Sequence, residues 1–239
     1  MKTLSIIIPM YNEANTIAHT LEKINMVVLQ NNISKQVVVV NDCSTDNSVA
    51  AVENYKASNP LLEIKLCSHE VNKGKGAALH TGIKEAKGDY IVVQDADLEY
   101  NPEEFKILLQ PLEDEVADVV YGSRFMGGRP HRILFFWHTI GNKFLTQFSN
   151  VFANLNLSDM ETCYKMFRAE IIKSLYLKEK RFGFEPEVTQ KIARIKGIRI
   201  YEVGISYYGR TYEEGKKISW KDGFRALYCI IKYGLFKSK

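Results

Sequence analysis

The chain has 239 residues, which is enough for one large domain or two small ones with a buried core. Its 32 Lys and Arg residues against 28 Asp and Glu residues give a formal charge of +4, too mild for the strongly basic surface of a dedicated nucleic-acid-binding protein. An anionic substrate or membrane surface stays compatible with this charge. The four cysteines, Cys43, Cys67, Cys163 and Cys229, form no CxxC pair, so neither a zinc site nor a disulfide framework is expected, and a reduced, cytosolic setting is the default.

The first half alternates short apolar segments with helix-like segments. We predict strands at 4–8, 36–40, 62–67, 90–93 and 117–121, and helices at about 15–30, 46–58, 75–87 and 102–115. Several of the strands are apolar on both faces, as a parallel sheet requires. This spacing is typical of right-handed βαβ crossovers and predicts a doubly wound α/β sheet.

In the second half the alternation weakens. We predict a helix at 133–155, a strand at 158–168, a helix at 184–196, a strand at 198–208 and an amphipathic helix at 218–236. No linker, low-complexity tract or internal repeat interrupts the chain. We therefore expect a single domain over 1–239, in which 126–217 complete the site begun by 1–125 and 218–239 form the C-terminal amphipathic helix.

The amino-terminal segment MKTLSIIIPMYNEANTI holds an apolar run that Pro9 interrupts, too short for the core of a signal peptide. No stretch reaches the ~20 apolar residues that a spanning helix needs. We expect a protein that is soluble, or at most peripheral on the cytoplasmic face of a membrane.

Acidic residues follow the predicted strand at 90–93. Asp95 and Asp97 share a direction in an extended chain, and Glu99 joins them if the chain stays extended. Carboxylates held close together repel unless a cation lies between them, and Mg²⁺ characteristically takes one or two protein carboxylates. The alternative is a set of solvated acids before the helix that begins near Pro102. Their place at the ligand edge of the sheet favours the metal site.

Two other loops at this edge are candidates for substrate contact. Lys75 lies between Gly74 and Gly76 in NKGKG, which lacks P-loop spacing, and these glycines either allow a ligand to approach the backbone or shape a turn. The Gly-rich loop GSRFMGGRPHR is basic and suits a phosphate, the alternative being a mobile surface loop with solvated charge. Its basic residues are Arg124, Arg129, His131 and Arg132.

The motifs SIIIPMYNEANTI, VVVVNDCSTDNS, NKGKGAAL, YIVVQDADLEYNPEE and GSRF, in this order, resemble the family 2 inverting glycosyltransferases of GT-A fold. The closest subgroup is that of the dolichyl- and polyprenyl-phosphate sugar synthases, whose later motifs are similar to DMETCYKMFR, FGFEPEVTQKI and IYEVGISYYGRTYEEGKKI. The resemblance implies a GT-A type doubly wound, mostly parallel sheet flanked by helices, as in nucleotide-diphospho-sugar transferases. It further implies a UDP- or GDP-sugar donor, Mg²⁺ or Mn²⁺, and inversion at the anomeric carbon.

The resemblance also assigns donor-side roles within a nucleotide-sugar-binding half, 1–125. The residues expected to line the nucleotide pocket are Pro9, Tyr11, Asn12 and Glu13, and Asp42 is expected to meet the base or ribose. Gly74, Lys75 and Gly76 are expected to lie beside the nucleotide. The metal is expected to be held by Asp95, Asp97 and Glu99. Where the family often has an Asp-Asp pair and a Gly, this chain has Asn41, Asp42 and Cys43.

On the acceptor side, 126–217, the subgroup resemblance implies that Arg124, Arg129 and Arg132 bind a lipid phosphate. The predicted catalytic residues are Asp97, Asp159 and Arg124, and Glu187 is predicted to bind substrate. A hydroxyl acceptor would need a general base, with Asp159 first and Glu161, Glu185 and Glu187 as further candidates, whereas a phosphate is itself nucleophilic. Glu185 and Glu187 also suit a helix N-terminus. Lys216 and Lys217 resemble the late basic segment that closes over the diphosphate, or else form a solvated turn.

The last helix combines an apolar stripe (Trp220, Phe224, Leu227, Tyr228, Ile231 and Leu235) with basic residues, and ILFFW at 133–137 adjoins the basic loop. Both features are compatible with packing on the domain or with contact to an anionic membrane surface.

We therefore expect an inverting glycosyltransferase that transfers a sugar to a polyprenyl phosphate. The alternatives are transfer to a hydroxyl of a glycan or glycolipid, a non-catalytic nucleotide-sugar-binding or membrane-docking protein, and nucleotidyl transfer.

Overall fold

The computed structural model describes residues 1–133, 135–211 and 220–236. Within them seven strands form one sheet: β1 (Thr3–Met10), β2 (Ser34–Asn41), β3 (Glu63–Ser68), β4 (Tyr90–Val93), β5 (Val119–Ser123), β6 (Lys165–Arg168) and β7 (Ile200–Gly204). Their order across the sheet is β3-β2-β1-β4-β6-β5-β7. Strand β6 runs antiparallel to β4 and β5, and the other neighbouring pairs are parallel. This mostly parallel, doubly wound sheet confirms the predicted fold class.

Helices flank the sheet. They are α1 (Ile17–Met26), α2 (Ser48–Ser58), α3 (Lys75–Glu85), α4 (Phe105–Glu113), α5 (Phe136–Ala153), α6 (Ala169–Ser174), α7 (Phe184–Ile192) and α8 (Trp220–Leu235). No helix within the described ranges combines the length and the apolar character that crossing a bilayer requires.

The second half departs from the prediction in several places. The strand expected over 158–168 is confined to β6, because the backbone N–H groups of Ser158 and Asp159 donate to the carboxylate of Glu202 instead of joining a ladder. Helix α6 was not predicted.

Helix α8 packs on the domain through a face other than the predicted stripe. Its buried residues are Ala226, Cys229, Ile230 and Tyr233, whereas Phe224, Tyr228, Ile231 and Leu235 are exposed. A Cβ on Gly234 would lie 2.7 Å from Cβ of Phe152 in α5, so α8 approaches its neighbour closely through small residues.

The core explains why the central strands are apolar on both faces. Ile7 in β1 is fully buried and pairs with Val38 of β2 on one side and Val93 of β4 on the other. Because β1 has β2 on one flank and β4 on the other, successive crossovers diverge at this point, and a crevice opens beyond the carboxyl ends of these strands. The loops with the candidate residues follow those ends.

Candidate active site

A cleft of about 460 Å³ lies beyond the carboxyl ends of β1, β2 and β4. It brings together most of the residues predicted for the donor side. Those lining it are Pro9, Tyr11, Glu13, Asp42, Gly74, Lys75, Asp95, Asp97 and Glu99. Residues far along the chain complete the wall: Arg181, Phe182, Tyr207 and Arg210.

Asp95 is paired with the first residue of α3. Its Oδ1 lies 2.8 Å from Nζ of Lys75, which also lies 3.6 Å from Oε1 of Glu185. Burial acts to raise the pKa of Asp95, but the Lys75 ammonium outweighs it and holds that pKa below its ordinary value. Asp95 is therefore a carboxylate at neutral pH.

Asp97 has a different environment. Burial, followed by the charges of Asp95 and Glu99, raises the pKa of Asp97 to about 7, although Arg210 opposes the shift. The Arg210 Nη2 donates to Oδ2 of Asp97 over 2.6 Å. Three acids thus share this part of the cleft, and added positive charge would stabilise the ionised form of Asp97.

Glu99 is engaged by protein donors. Its Oε1 accepts hydrogen bonds from the backbone N–H (2.8 Å) and Nε (3.2 Å) of Arg210, and its Oε2 accepts one from the Tyr207 hydroxyl (2.8 Å). Among the described residues, no group of three or more His, Cys, Asp or Glu is arranged to hold a metal ion. A cation bound by Asp95 and Asp97 would therefore take its other ligands from substrate and water, which is the usual habit of Mg²⁺.

Arg124, which is partly exposed, forms an ion pair with the buried Asp159 beside the cleft. The Nε and Nη2 of Arg124 donate to the two carboxylate oxygens of Asp159 over 2.7 and 2.8 Å, and its backbone N–H donates over 3.1 Å. The Asp159 side chain is fully buried, while Arg124 also lies over the ring of Tyr207 at 5.1 Å. These contacts favour a role for Asp159 in orienting Arg124, rather than as a free base.

Asp42 and Asn12 hold the loops at this edge together. The carboxylate of Asp42 accepts hydrogen bonds from the backbone N–H of Lys73 and Gly74 and contacts Nδ1 of His69. Oδ1 of Asn12 accepts from the backbone N–H of Thr45 over 2.8 Å. Asp42 lines the cleft, whereas Asn12 joins two loops outside its lining.

The two glycines that flank Lys75 lie against the segment 179–181. A Cβ on Gly76 would come within 2.3 Å of the Glu179 carbonyl oxygen, and one on Gly74, whose φ is 95°, within 2.5 Å of the Lys180 carbonyl oxygen. Gly74 lines the cleft and Gly76 does not. Packing against this segment is sufficient to explain the need for glycine at both positions.

The other predicted acceptor residues are spread out. Arg132 donates its backbone N–H to the Tyr207 carbonyl over 2.8 Å, and Arg129 lines a second cavity of about 330 Å³ with Glu104 and Ser206. The carboxylate of Glu187 is fully buried away from the cleft, where it accepts from Lys178, Glu179 and Lys191. Lys216 and Lys217 lie outside the described residues.

Sequence reasoning missed Arg210 and Tyr207. Arg210 contacts Asp97 across 113 positions of chain and Glu99 across 111, a distance that no local pattern reveals. The signal that the sequence offered was that Arg210 lies in ISYYGRTYEEG, which is part of the last motif that resembles the subgroup.

Comparison with known proteins identifies the family. The model of "Glycosyl transferase family 2" matches residues 5–176. The chain belongs to this family. It is therefore a glycosyltransferase, and its fold is of the GT-A type.

Relatives of this family 2 protein include a hexosyltransferase, a mannosyltransferase and a glucosyltransferase. It is 30% identical to the undecaprenyl-phosphate mannosyltransferase of Micrococcus luteus, over 98% of this chain and 95% of that protein. It is 30% identical to the low-salt glycan biosynthesis hexosyltransferase Agl6 of Haloferax volcanii, over 93% of this chain but only 52% of that protein. It is 27% identical to the dolichyl-phosphate beta-glucosyltransferase ALG5A of Trichomonas vaginalis, over 98% of this chain and 73% of that protein.

Solved structures of the same fold include glucosyl-3-phosphoglycerate synthase from Mycobacterium tuberculosis, in complex with Mn²⁺, UDP and glucosyl-3-phosphoglycerate. The TM-score is 0.72 at 18% identity, covering 97% of this chain and 80% of the synthase chain. At this identity the likeness concerns the fold alone.

Proposed function

We propose that this family 2 enzyme transfers a hexosyl group from a UDP- or GDP-sugar to a polyprenyl phosphate at a membrane surface, with inversion of the anomeric carbon. The observation that carries the proposal is the Asp95 and Asp97 pair in the cleft, with Arg124, held by the buried Asp159, beside it. Relatives named for undecaprenyl and dolichyl phosphate support the choice of acceptor.

The two acids suit a divalent cation. Mg²⁺ or Mn²⁺ takes carboxylate oxygens. Burial and then repulsion by Asp95 and Glu99 raise the pKa of Asp97, and a bound cation would relieve the repulsion. Held by Asp95 and Asp97, such an ion would neutralise negative charge on the departing nucleoside diphosphate. Glu99 was predicted as a third ligand, but its bonds to Arg210 and Tyr207 favour a role in holding Arg210.

The acceptor would be oriented by Arg124. Its guanidinium is fixed by Asp159, so its remaining N–H donors are preorganised for an anionic oxygen. A phosphate monoester has a second pKa of about 6 and is already nucleophilic at neutral pH. Its oxygen forms a bond to the anomeric carbon from the face opposite the leaving group, while the bond from that carbon to the diphosphate oxygen breaks with its electron pair. This step requires no general base.

Transfer to a hydroxyl of a glycan or glycolipid is the second candidate, and one observation favours it. Burial and the charge of Glu185 raise the pKa of Glu161 to about 8, close to that of an effective general base. Its Oε1 is buried without a hydrogen-bond partner among the described residues. A Glu161→Gln variant separates the candidates, because it should abolish transfer to a hydroxyl and leave transfer to a phosphate largely intact.

The decisive experiment is a donor screen with Mg²⁺ or Mn²⁺, measuring nucleoside diphosphate release with and without polyprenyl phosphate. We expect acceptor-dependent release, with a product that retains the lipid phosphate and has the inverted anomeric configuration. Release that depends on a glycan and ignores the lipid phosphate would contradict the proposal. Pyrophosphate release from a nucleoside triphosphate would indicate nucleotidyl transfer instead.

A further inference from the structure

The start of helix α5 exposes a group of large apolar side chains, which we call the aromatic patch: Ile133, Phe136, Trp137, Ile140 and Phe144. Ile133 is 82% exposed, Trp137 77% and Phe136 66%. The buried residues of α5 are Thr146, Ser149 and Asn150, so the helix is buried mainly through its second half, and one side of its first half is exposed. Contiguous apolar surface of this kind marks an interaction site.

The charge around the aromatic patch indicates the chemistry of its partner. From Val119 to Ser158 the chain contains no Asp or Glu, whereas it contains Arg124, Arg129, Arg132 and Lys143. Arg129 and Lys143 are exposed. Exposed aromatic side chains next to exposed cations are the composition of segments that lie in the headgroup layer of an anionic membrane. In α8, by contrast, Arg225 and Lys232 both contact the carboxylate of Glu179, so an acid of the protein balances part of their charge.

The fold places the aromatic patch beside the cleft. The residues just before it are tied to the cleft wall, because the Tyr207 N–H donates to the Pro130 carbonyl over 3.1 Å and the Arg132 N–H donates to the Tyr207 carbonyl over 2.8 Å. The hydroxyl of Tyr207 in turn bonds to Glu99 inside the cleft. A surface that received the patch would therefore lie close to the cleft mouth and to Arg124.

We propose that the aromatic patch inserts into the headgroup layer of a membrane rich in anionic lipid and so holds the cleft at the lipid surface. The role that we assign to this contact, holding the cleft at the lipid surface, depends on the proposed transfer to a lipid phosphate. The contact itself is independent of catalysis and can be measured without a donor.

The first test uses the tryptophan content of the chain, which is two. A Trp220→Phe variant leaves Trp137 as the sole tryptophan. We expect vesicles of phosphatidylglycerol with brominated acyl chains to quench its fluorescence strongly, with weaker quenching by phosphatidylcholine vesicles and a decline at high salt. Absence of quenching by the anionic vesicles would overturn the proposal.

The second test removes the apolar contact. In vesicle co-sedimentation, the double variant Phe136→Ser/Trp137→Ser should bind phosphatidylglycerol vesicles roughly a hundredfold more weakly than the parent, because two aromatic side chains no longer leave water. Its turnover of a short-chain, water-soluble acceptor phosphate should be unchanged. Leu61→Ser is the matched control, since Leu61 is fully exposed and precedes β3 at the opposite edge of the sheet, and it should bind vesicles like the parent.

Two further outcomes would overturn the proposal. One is vesicle binding that is equal in the double variant and in the parent. The other is a lipid-independent, concentration-dependent blue shift of Trp137 emission with dimer formation, which would assign the patch to a second copy of the chain. Lipid binding that requires the patch in a protein that transfers no sugar to polyprenyl phosphate would refute the proposed acceptor and leave the membrane contact standing.

Discussion

The edge of the sheet that follows β1 and β4 and the segment from Val119 to Ser158 are opposite in character. The first concentrates Asp95, Asp97 and Glu99 in a cleft, where Lys75 and Arg210 balance part of their charge. The second contains no acidic residue and leaves large apolar side chains in solvent. Under the proposed function, an added cation would offset the repulsion between the acidic cleft and a diphosphate, whereas an acid-free segment can meet an anionic surface directly.

This difference indicates a division of labour. The acid-rich edge is buried, hydrogen-bonded and suited to a small, highly charged donor. Under the proposed function, the exposed part of the acid-free segment, from Ile133 to Phe144, would meet a large amphipathic acceptor. Arg124 lies where the two regions meet, at the end of β5, and Asp159 fixes its orientation.

The strongest way to break this division is to remove one acid of the cleft. We expect Asp97→Asn to lower the rate of nucleoside diphosphate release by about a hundredfold to a thousandfold, because leaving-group charge would lose stabilisation. The measurement is steady-state turnover at saturating Mg²⁺, with circular dichroism to verify the fold. Glu53→Gln, on the exposed side of α2, is the matched control and should be neutral. A variant that keeps most of its activity with an unchanged metal requirement would remove Asp97 from the site.

At the junction of the two regions, the pair of Arg124 and Asp159 can be tested by a double-mutant cycle. We expect Arg124→Gln and Asp159→Asn each to lower kcat/KM for the acceptor by roughly tenfold to a hundredfold, since each disturbs charge-assisted hydrogen bonds. If Asp159 acts only through Arg124, the double variant should be no worse than either single variant. KM for the donor should hold steady throughout.

The thermal stability of the same three variants provides the control for that cycle. Arg124→Gln leaves a fully buried carboxylate without its counter-charge, so its Tm should fall, and adding Asp159→Asn should recover part of the loss. Multiplicative losses of activity in the cycle would instead assign Asp159 a role of its own, such as a general base.

The local sequence pattern was sufficient to predict the donor side of the site and insufficient to predict the other residues of the site. The place of Asp95 and Asp97 follows from a buried strand that ends two residues before the first of them, and both the strand and the cleft were predictable. Glu187 of FEPE was predicted to bind substrate, but residues two apart on a helix point in nearly opposite directions, and it is Glu185 that faces Lys75. The contacts of Arg210 depend on tertiary folding alone.

The counter-charge within the acidic cleft can be removed to sharpen the comparison. Without a metal, Arg210→Gln should lower the free energy of unfolding by about 1–3 kcal/mol, because Asp97 and Glu99 lose hydrogen bonds to a charged partner. Added Mn²⁺ should then raise Tm more in the variant than in the parent. Arg199→Gln is the control: the Arg199 side chain that pairs with Asp118 is about half exposed, so the loss should be smaller than for Arg210→Gln and insensitive to Mn²⁺. Equal responses of both variants to Mn²⁺ would separate Arg210 from the metal site.

The smallest effect concerns the backbone of the acid-rich edge, after β2. Cys43 has a φ of 63°, in the left-handed region that favours glycine, and it stands where the family often has Gly. Cys43→Gly should relieve this strain at the cost of a more flexible unfolded chain, for a net gain of up to about 1 kcal/mol in chemical denaturation. Cys43→Ala separates strain from the loss of the thiol, because alanine keeps the Cβ and should give no gain. If both substitutions stabilise equally, the thiol and not the backbone is responsible, and the departure from the family pattern at this position carries no conformational penalty.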